Sequence, residues 1–123
     1  MINHIAIQCR DIAASATFYD TLLGVLGGKR IIERNDLIGY GTGLPTFWIG
    51  PLVDQGSQRP IHLAFDATSR SEVDAFYETA RTHGAEILHA PRVWPEYHPG
   101  YYGAFVRDPD GNNIEAVHHT WQT

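Results

Sequence analysis

The chain is poor in cysteine, in basic clusters and in long apolar runs, and each shortage removes a class of function. A single cysteine, Cys9, in 123 residues leaves no internal disulfide to form. On strand alternation Cys9 shares a face with Ile5 and Ile7 and reads as a small buried thiol. Nine Lys and Arg stand against fourteen Asp and Glu, a net charge of −5. With no run of basic residues to neutralise phosphates, nucleic acid is not an expected partner. No segment approaches the roughly 20 apolar residues of a membrane span. The opening MINHIAIQCRD also lacks the basic and apolar regions of a signal peptide. The expectation is a cytoplasmic protein, with no membrane partner and a single domain around one modest core.

What the chain does have is a pattern written twice. Ile5, Ile7 and Cys9 alternate with His4, Ala6 and Gln8, which predicts a strand over residues 2–9 with one apolar and one mixed face. From Asp11, a candidate N-cap, the spacing turns helical, with a stripe of Phe18, Leu22, Val25 and Leu26 that stops at Gly27-Gly28. From residue 61 the same reading repeats: Ile61, Leu63 and Phe65 alternate with His62, Ala64 and Asp66. Ser69-x-x-Glu72 forms a capping box, and Val73, Phe76, Tyr77 and Ala80 make a stripe that ends at Gly84. His4 and His62, Phe18-Tyr19 and Phe76-Tyr77, and Asp20 and Glu78 are all separated by 58 positions. Each half then closes with a hairpin, LIGYG into TFWIG and YGAFV into NIEAV, the second turning through RDPDGN. Aligning the closing strands sets Trp48 opposite Glu115.

The fold expected is α+β: two repeated βαβββ modules, over about 1–56 and 57–123, forming a curved, barrel-like mixed sheet with helices on its outer face. His4, His62 and Glu115 then lie on the face away from the helices. A histidine there can be a hydrogen-bonded structural residue, and a glutamate can pair with an arginine. A divalent cation would satisfy all three together, because neutral imidazole and carboxylate are its ligands, and Fe, Mn, Ni, Co and Zn all accept this set. An unpaired buried carboxylate, by contrast, costs several kcal/mol.

The segment VWPEYHPGYYGAF, residues 93–105, is aromatic and broken by Pro95, Pro99 and Gly100, which predicts a constrained loop before a strand starting near Gly103. It could cover a sheet edge, or it could wall a pocket. In the second case His98 is the candidate general acid or base, and Tyr101 and Tyr102 are candidate donors to a developing oxyanion. Trp48 and Trp94 would shape an aromatic pocket for a small-molecule substrate. His83 is expected in the last turn of the second helix, and His118 and His119 in a polar tail after the last strand; these and His89 read as surface residues. Arg30, Arg34, Arg59 and Arg92 are scattered, and any of them could receive a substrate carboxylate.

INHIAIQCRDIAASATFYDTLLG, IHLAFDATSRSEVDAFYETARTHGA and FVRDPDGNNIEAV together resemble the vicinal-oxygen-chelate superfamily of glyoxalases, extradiol dioxygenases, fosfomycin-resistance transferases and bleomycin-resistance proteins. The resemblance covers nearly the whole chain. It implies a cup of paired modules around a metal held by His4, His62 and Glu115, and a homodimer that resolves exposed sheet edges. It implies a metal-dependent lyase, isomerase or dioxygenase acting through vicinal oxygens or, alternatively, a metal-free drug-sequestering protein. Three departures limit the transfer. Trp48 stands where glyoxalase I has a fourth ligating glutamate, so the four-ligand reaction is not expected. Phe105 stands where related triads have a tyrosine, and Ala6 where fosfomycin transferases tend to have threonine.

Overall fold

A computed structural model describes residues 1–120. The chain divides into two compact units, Met1–Arg59 and a second from Pro60 onward. The first unit contains β1 (Ile5–Cys9), α1 (Ile12–Val25), β2 (Lys29–Arg34), β3 (Leu37–Gly41) and β4 (Phe47–Pro51). The second contains β5 (His62–Asp66), α2 (Arg70–His83), β6 (Ile87–Val93), β7 (Tyr101–Arg107) and β8 (Asn113–His119). Each unit carries its own four-stranded sheet, ordered β1-β4-β3-β2 and β5-β8-β7-β6. The sheets are thus separate and open, rather than hydrogen-bonded into one continuous sheet.

The topology follows from the helix. After the first strand, α1 or α2 carries the chain to the far edge of the sheet, and an antiparallel meander returns it beside the start. The first and last strands of each unit therefore pair in parallel, β1 with β4 and β5 with β8. The bulge in β6 between His89 and Arg92 contains Pro91, on an edge strand where a missing N–H is tolerated.

Both helices begin and end on side-chain and glycine signals present in the sequence. Asp11 accepts from the Ala14 amide at 3.1 Å, and Ser69 from the Glu72 amide at 3.1 Å. The Glu72 carboxylate reaches back to the amide and hydroxyl of Thr68, one residue before the partner a standard capping box would use. Both helices stop in Schellman motifs. Gly28 and Gly27 donate to Leu23 and Gly24, and Ala85 and Gly84 to Ala80 and Arg81, with Gly27 and Gly84 at φ 83° and 86°.

In the first unit Phe18, Tyr19, Leu22 and Leu23 of α1 are buried, as are Ile7, Cys9, Ile38, Tyr40, Phe47 and Ile49 of its sheet. Tyr19 belongs to this core although the expected stripe omits it. In the second unit Val73, Phe76 and Ala80 of α2 are buried with Ala104, Val106, Ile114 and Ala116. Both modules thus spend one sheet face on a helix.

Two strand ends differ from expectation. β7 starts at Tyr101 rather than near Gly103, because Tyr101 and Tyr102 find partners in His119 and His118. For the same reason His118 and His119 are not a polar tail: they are the last two residues of β8. The aromatic loop shrinks to residues 94–100.

Candidate functional site

The turn between β7 and β8 sets the geometry of the second unit. Asp108 is buried and accepts from the amides of Asp110 and Asn112, and from the Asn112 carboxamide, all at 2.9 Å. Asn112 in turn accepts from the Ile61 amide at 3.0 Å, while the Asn113 amide donates to the Ile61 carbonyl at 2.8 Å. These bonds clip the entry of β5 to the start of β8, so His62 lies opposite Asn113 and Ala64 opposite Glu115. His62, Ala64 and Glu115 share the sheet face turned away from α2. Ala64 has only a methyl group, and the His62 ring reaches across it to Glu115.

His62 Nε2 donates to Glu115 Oε1 at 2.7 Å, and the Tyr101 hydroxyl donates to the other oxygen, Oε2. Glu115 is fully buried while His62 is half exposed. Among the described residues no Arg or Lys pairs with this carboxylate; its charge meets only an imidazole and a phenol. Burial first, and then the hydrogen bond to Glu115, holds the Tyr101 phenol well above the ordinary range. Phe105, directly across the ladder from Glu115, packs against the His62 ring at 5.8 Å and the His89 ring at 5.6 Å.

Trp94 is buried beside this cluster. Its Nε1 donates to the Gly103 carbonyl at 3.0 Å, Phe105 meets it edge-on at 5.1 Å, and the Arg92 guanidinium lies 3.4 Å over its ring. Trp94 therefore supports the Phe105 wall from behind. Arg92 also pairs with Glu96, and Arg30 with Asp20 and Glu33, so two of the four scattered arginines already hold carboxylates of the chain.

His98 and His119 form a pair that the sequence did not suggest. His98 Nδ1 accepts from the Gly100 amide at 3.1 Å, which leaves Nε2 to donate to His119 Nδ1 at 2.7 Å. The His119 ring meets Tyr101 edge-on at 4.7 Å. Extending the alternation of Glu115 and Val117 by one step to His119 would have found it. Tyr102 lies on the opposite face of β7 from Tyr101, and its hydroxyl donates to Asp74 of α2 at 2.6 Å. The structure thus brings Glu115, His62 and Tyr101 together, packs His98 and His119 against the Tyr101 ring, and turns Tyr102 to the helix side.

The equivalent face of the first unit is different. Ala6 pairs with Trp48 in the register that joins Ala64 to Glu115, so Trp48 occupies the position of the glutamate. Its indole lies over Gly39, where an added Cβ would meet ring carbons at 2.9 Å. His4 is exposed just before β1, with Nδ1 2.7 Å from the Asn3 side-chain oxygen. Among the described residues no three His, Cys, Asp or Glu side chains gather into a group able to hold a metal. No helix described is long and apolar enough to cross a membrane.

Residues 1–116 match the sequence model of the Glyoxalase/Bleomycin resistance protein/Dioxygenase superfamily, and the chain belongs to that superfamily. Among curated relatives, an uncharacterised protein of Pseudomonas aeruginosa is 29% identical, covering 93% of this chain and 85% of its own. A glyoxalase/bleomycin resistance protein from Albidiferax ferrireducens is similar in structure, with a TM-score of 0.80 and 30% identity over 95% of this chain and 98% of its own. A lactoylglutathione lyase from Agrobacterium tumefaciens has the same fold, with a TM-score of 0.73 at 21% identity over 96% of this chain and 92% of its own.

Proposed function

We propose that this chain is a metal-dependent enzyme acting on a small substrate that offers two neighbouring oxygens, with His4, His62 and Glu115 as the ligand set. The observation that carries the reading is the contact of His62 with a fully buried Glu115 that, among the described residues, pairs with no Arg or Lys. A buried carboxylate without Arg or Lys is stable only if something else offsets its charge, and the donor chemistry, imidazole nitrogen and carboxylate oxygen, fits Fe, Mn, Ni, Co or Zn. His4 enters by its register with His62. A bound divalent cation would supply Lewis acidity toward the substrate oxygens. The chain's own contribution is an aromatic wall of Phe105 backed by Trp94, and a hydrogen-bonded pair of imidazoles, His98 and His119, packed against the Tyr101 ring as candidate proton carriers.

The reaction class proposed is a lyase, isomerase or dioxygenase rather than the four-ligand glyoxalase I reaction, because Trp48 cannot ligate. A homodimer accompanies this reading, since each sheet has two edge strands that are paired on one side only within that sheet. Trp48 in the register of Glu115 favours a second reading, a metal-free protein that sequesters a small molecule or drug. Elemental analysis of untagged, chelator-free protein separates the two. The enzyme reading expects about one equivalent of a transition metal per site, lost in His4→Ala, His62→Ala and Glu115→Ala. No metal on purification, and none taken up from Fe, Mn, Ni or Zn, would leave the binding protein.

A further inference from the structure

Phe105 faces Glu115 directly across the β7–β8 ladder, yet it is Tyr101, four residues earlier on the same strand face, whose hydroxyl reaches the carboxylate. The residue between them on that face is Gly103. A Cβ built there would stand 3.1 Å from Glu115 Oε2 and 3.2 Å from Tyr101 Cε1, tighter than ordinary side-chain contacts. The phenol ring therefore passes over a gap that a side chain at position 103 would crowd. Three aromatic neighbours hold it there: His119 at 4.7 Å, Tyr97 at 4.8 Å and His98 at 5.5 Å between ring centroids.

We propose that Tyr101 is a positioning residue that holds Glu115 Oε2, so that only Oε1 is presented to a ligand beside His62, and that Gly103 is the residue that makes this reach possible. The role rests on the metal-binding reading for what Glu115 finally holds, but the latch itself is a property of the metal-free chain. It also reassigns Tyr101. A hydroxyl committed to the carboxylate does not donate to a substrate oxyanion; it fixes the direction in which the carboxylate points. Loss of such an outer partner typically lowers metal affinity about 10–100-fold.

Two measurements on the full chain test this separately. The first is a double-mutant cycle on folding stability without metal, using Tyr101→Phe, Glu115→Gln and both, repeated in a Gly103→Ala background and, where it folds, in Gly103→Val. The expected coupling is about tenfold in the folding equilibrium with Gly103 present, falling toward unity once a side chain occupies that position. Additive single variants, or a coupling untouched by Gly103→Ala, would overturn the latch. The second is calorimetric titration with Ni(II) and Mn(II), in which Tyr101→Phe is expected to weaken binding about tenfold while leaving the stoichiometry unchanged. Unchanged affinity would overturn the positioning role. If no variant and no parent protein binds either ion while the cycle still shows coupling, the metal reading fails and the latch stands.

Discussion

The two units share one topology and place their polar chemistry on opposite faces. In the first, Asp20 of α1 accepts from Arg30 Nε and Nη2 and from the Tyr40 hydroxyl, each at 2.8 Å, tying the helix to β2 and β3 on the core side. The far face is occupied by Trp48 over Gly39. In the second unit the residue equivalent to Asp20, Glu78, makes only an exposed 3.5 Å contact with Arg81. There two carboxylates are buried, Asp108 in the β7–β8 turn and Glu115 within β8 on the face away from the helix. A duplicated frame thus carries a scaffold lock in one copy and a buried carboxylate turned away from the helix in the other. The fold tolerates either, because helix packing uses only one face of each sheet.

The largest expected effect comes from erasing this asymmetry. Glu115→Ala should reduce metal uptake by more than the 10–100-fold typical of losing an outer-shell partner. Trp48→Glu is the converse change, placing a carboxylate in the register of Glu115 beside a His4 that already matches His62, and it should raise affinity. Calorimetric titration of both variants checks the pair. A Trp48→Glu protein that bound no better than the parent would mean that the first unit's face takes no part in metal binding.

Next in size is the clip that belongs to the second unit alone. Asn112→Ala removes the acceptor of the Ile61 amide and the bond to Asp108, and should cost about 1–3 kcal/mol by denaturant unfolding. Faster hydrogen exchange should appear over residues 61–66 and not over 5–9. Equal exchange changes in both stretches would show that the turn does not set the β5 register by itself.

Much of this arrangement could be read from the residues. A period of two followed by a helical stripe, repeated at a fixed offset, is enough to find both βα units, because core packing imposes those periods. The same offset placed His4 against His62, and the equivalence of Trp48 and Glu115 appears in the ladder register. The gaps lie where a tertiary partner decides the outcome. His119 read as tail because a strand's end depends on the length of its neighbour, and β7 extends to Tyr101. Tyr101's reach to Glu115 depends on an empty position at Gly103, and Tyr102's turn toward Asp74 on its lying within β7 rather than in the loop before it.

The smallest effects separate two hydroxyl-to-aspartate contacts on the helix sides of the units: Tyr40 with Asp20 of α1, and Tyr102 with Asp74 of α2. The Arg30 hydrogen bond, aided by Tyr40, lowers the Asp20 pKa against the opposing effect of burial. An aspartate with a folded pKa below its unfolded value adds stability above the usual carboxylate range, and that stability is lost as pH falls through the folded value. Asp20→Asn should therefore flatten the acid limb of the stability curve. The carboxylate is partly exposed, and with screening the cost at neutral pH should be about 1 kcal/mol. Tyr102 works at the other end of the scale. Burial first, then the bond to Asp74, pushes its phenol up to about 12, with Arg70 over the ring opposing the shift. A raised phenol pKa contributes stability that is present below the ordinary value and lost as pH rises through the shifted one. Asp74→Asn should bring the Tyr102 titration, followed by the ring-carbon NMR signal, back toward the ordinary value. If the Tyr102 titration instead stayed where it is in the parent protein, burial alone would hold the phenol up, and the Asp74 contact would be no counterpart to the Asp20 lock of the first unit.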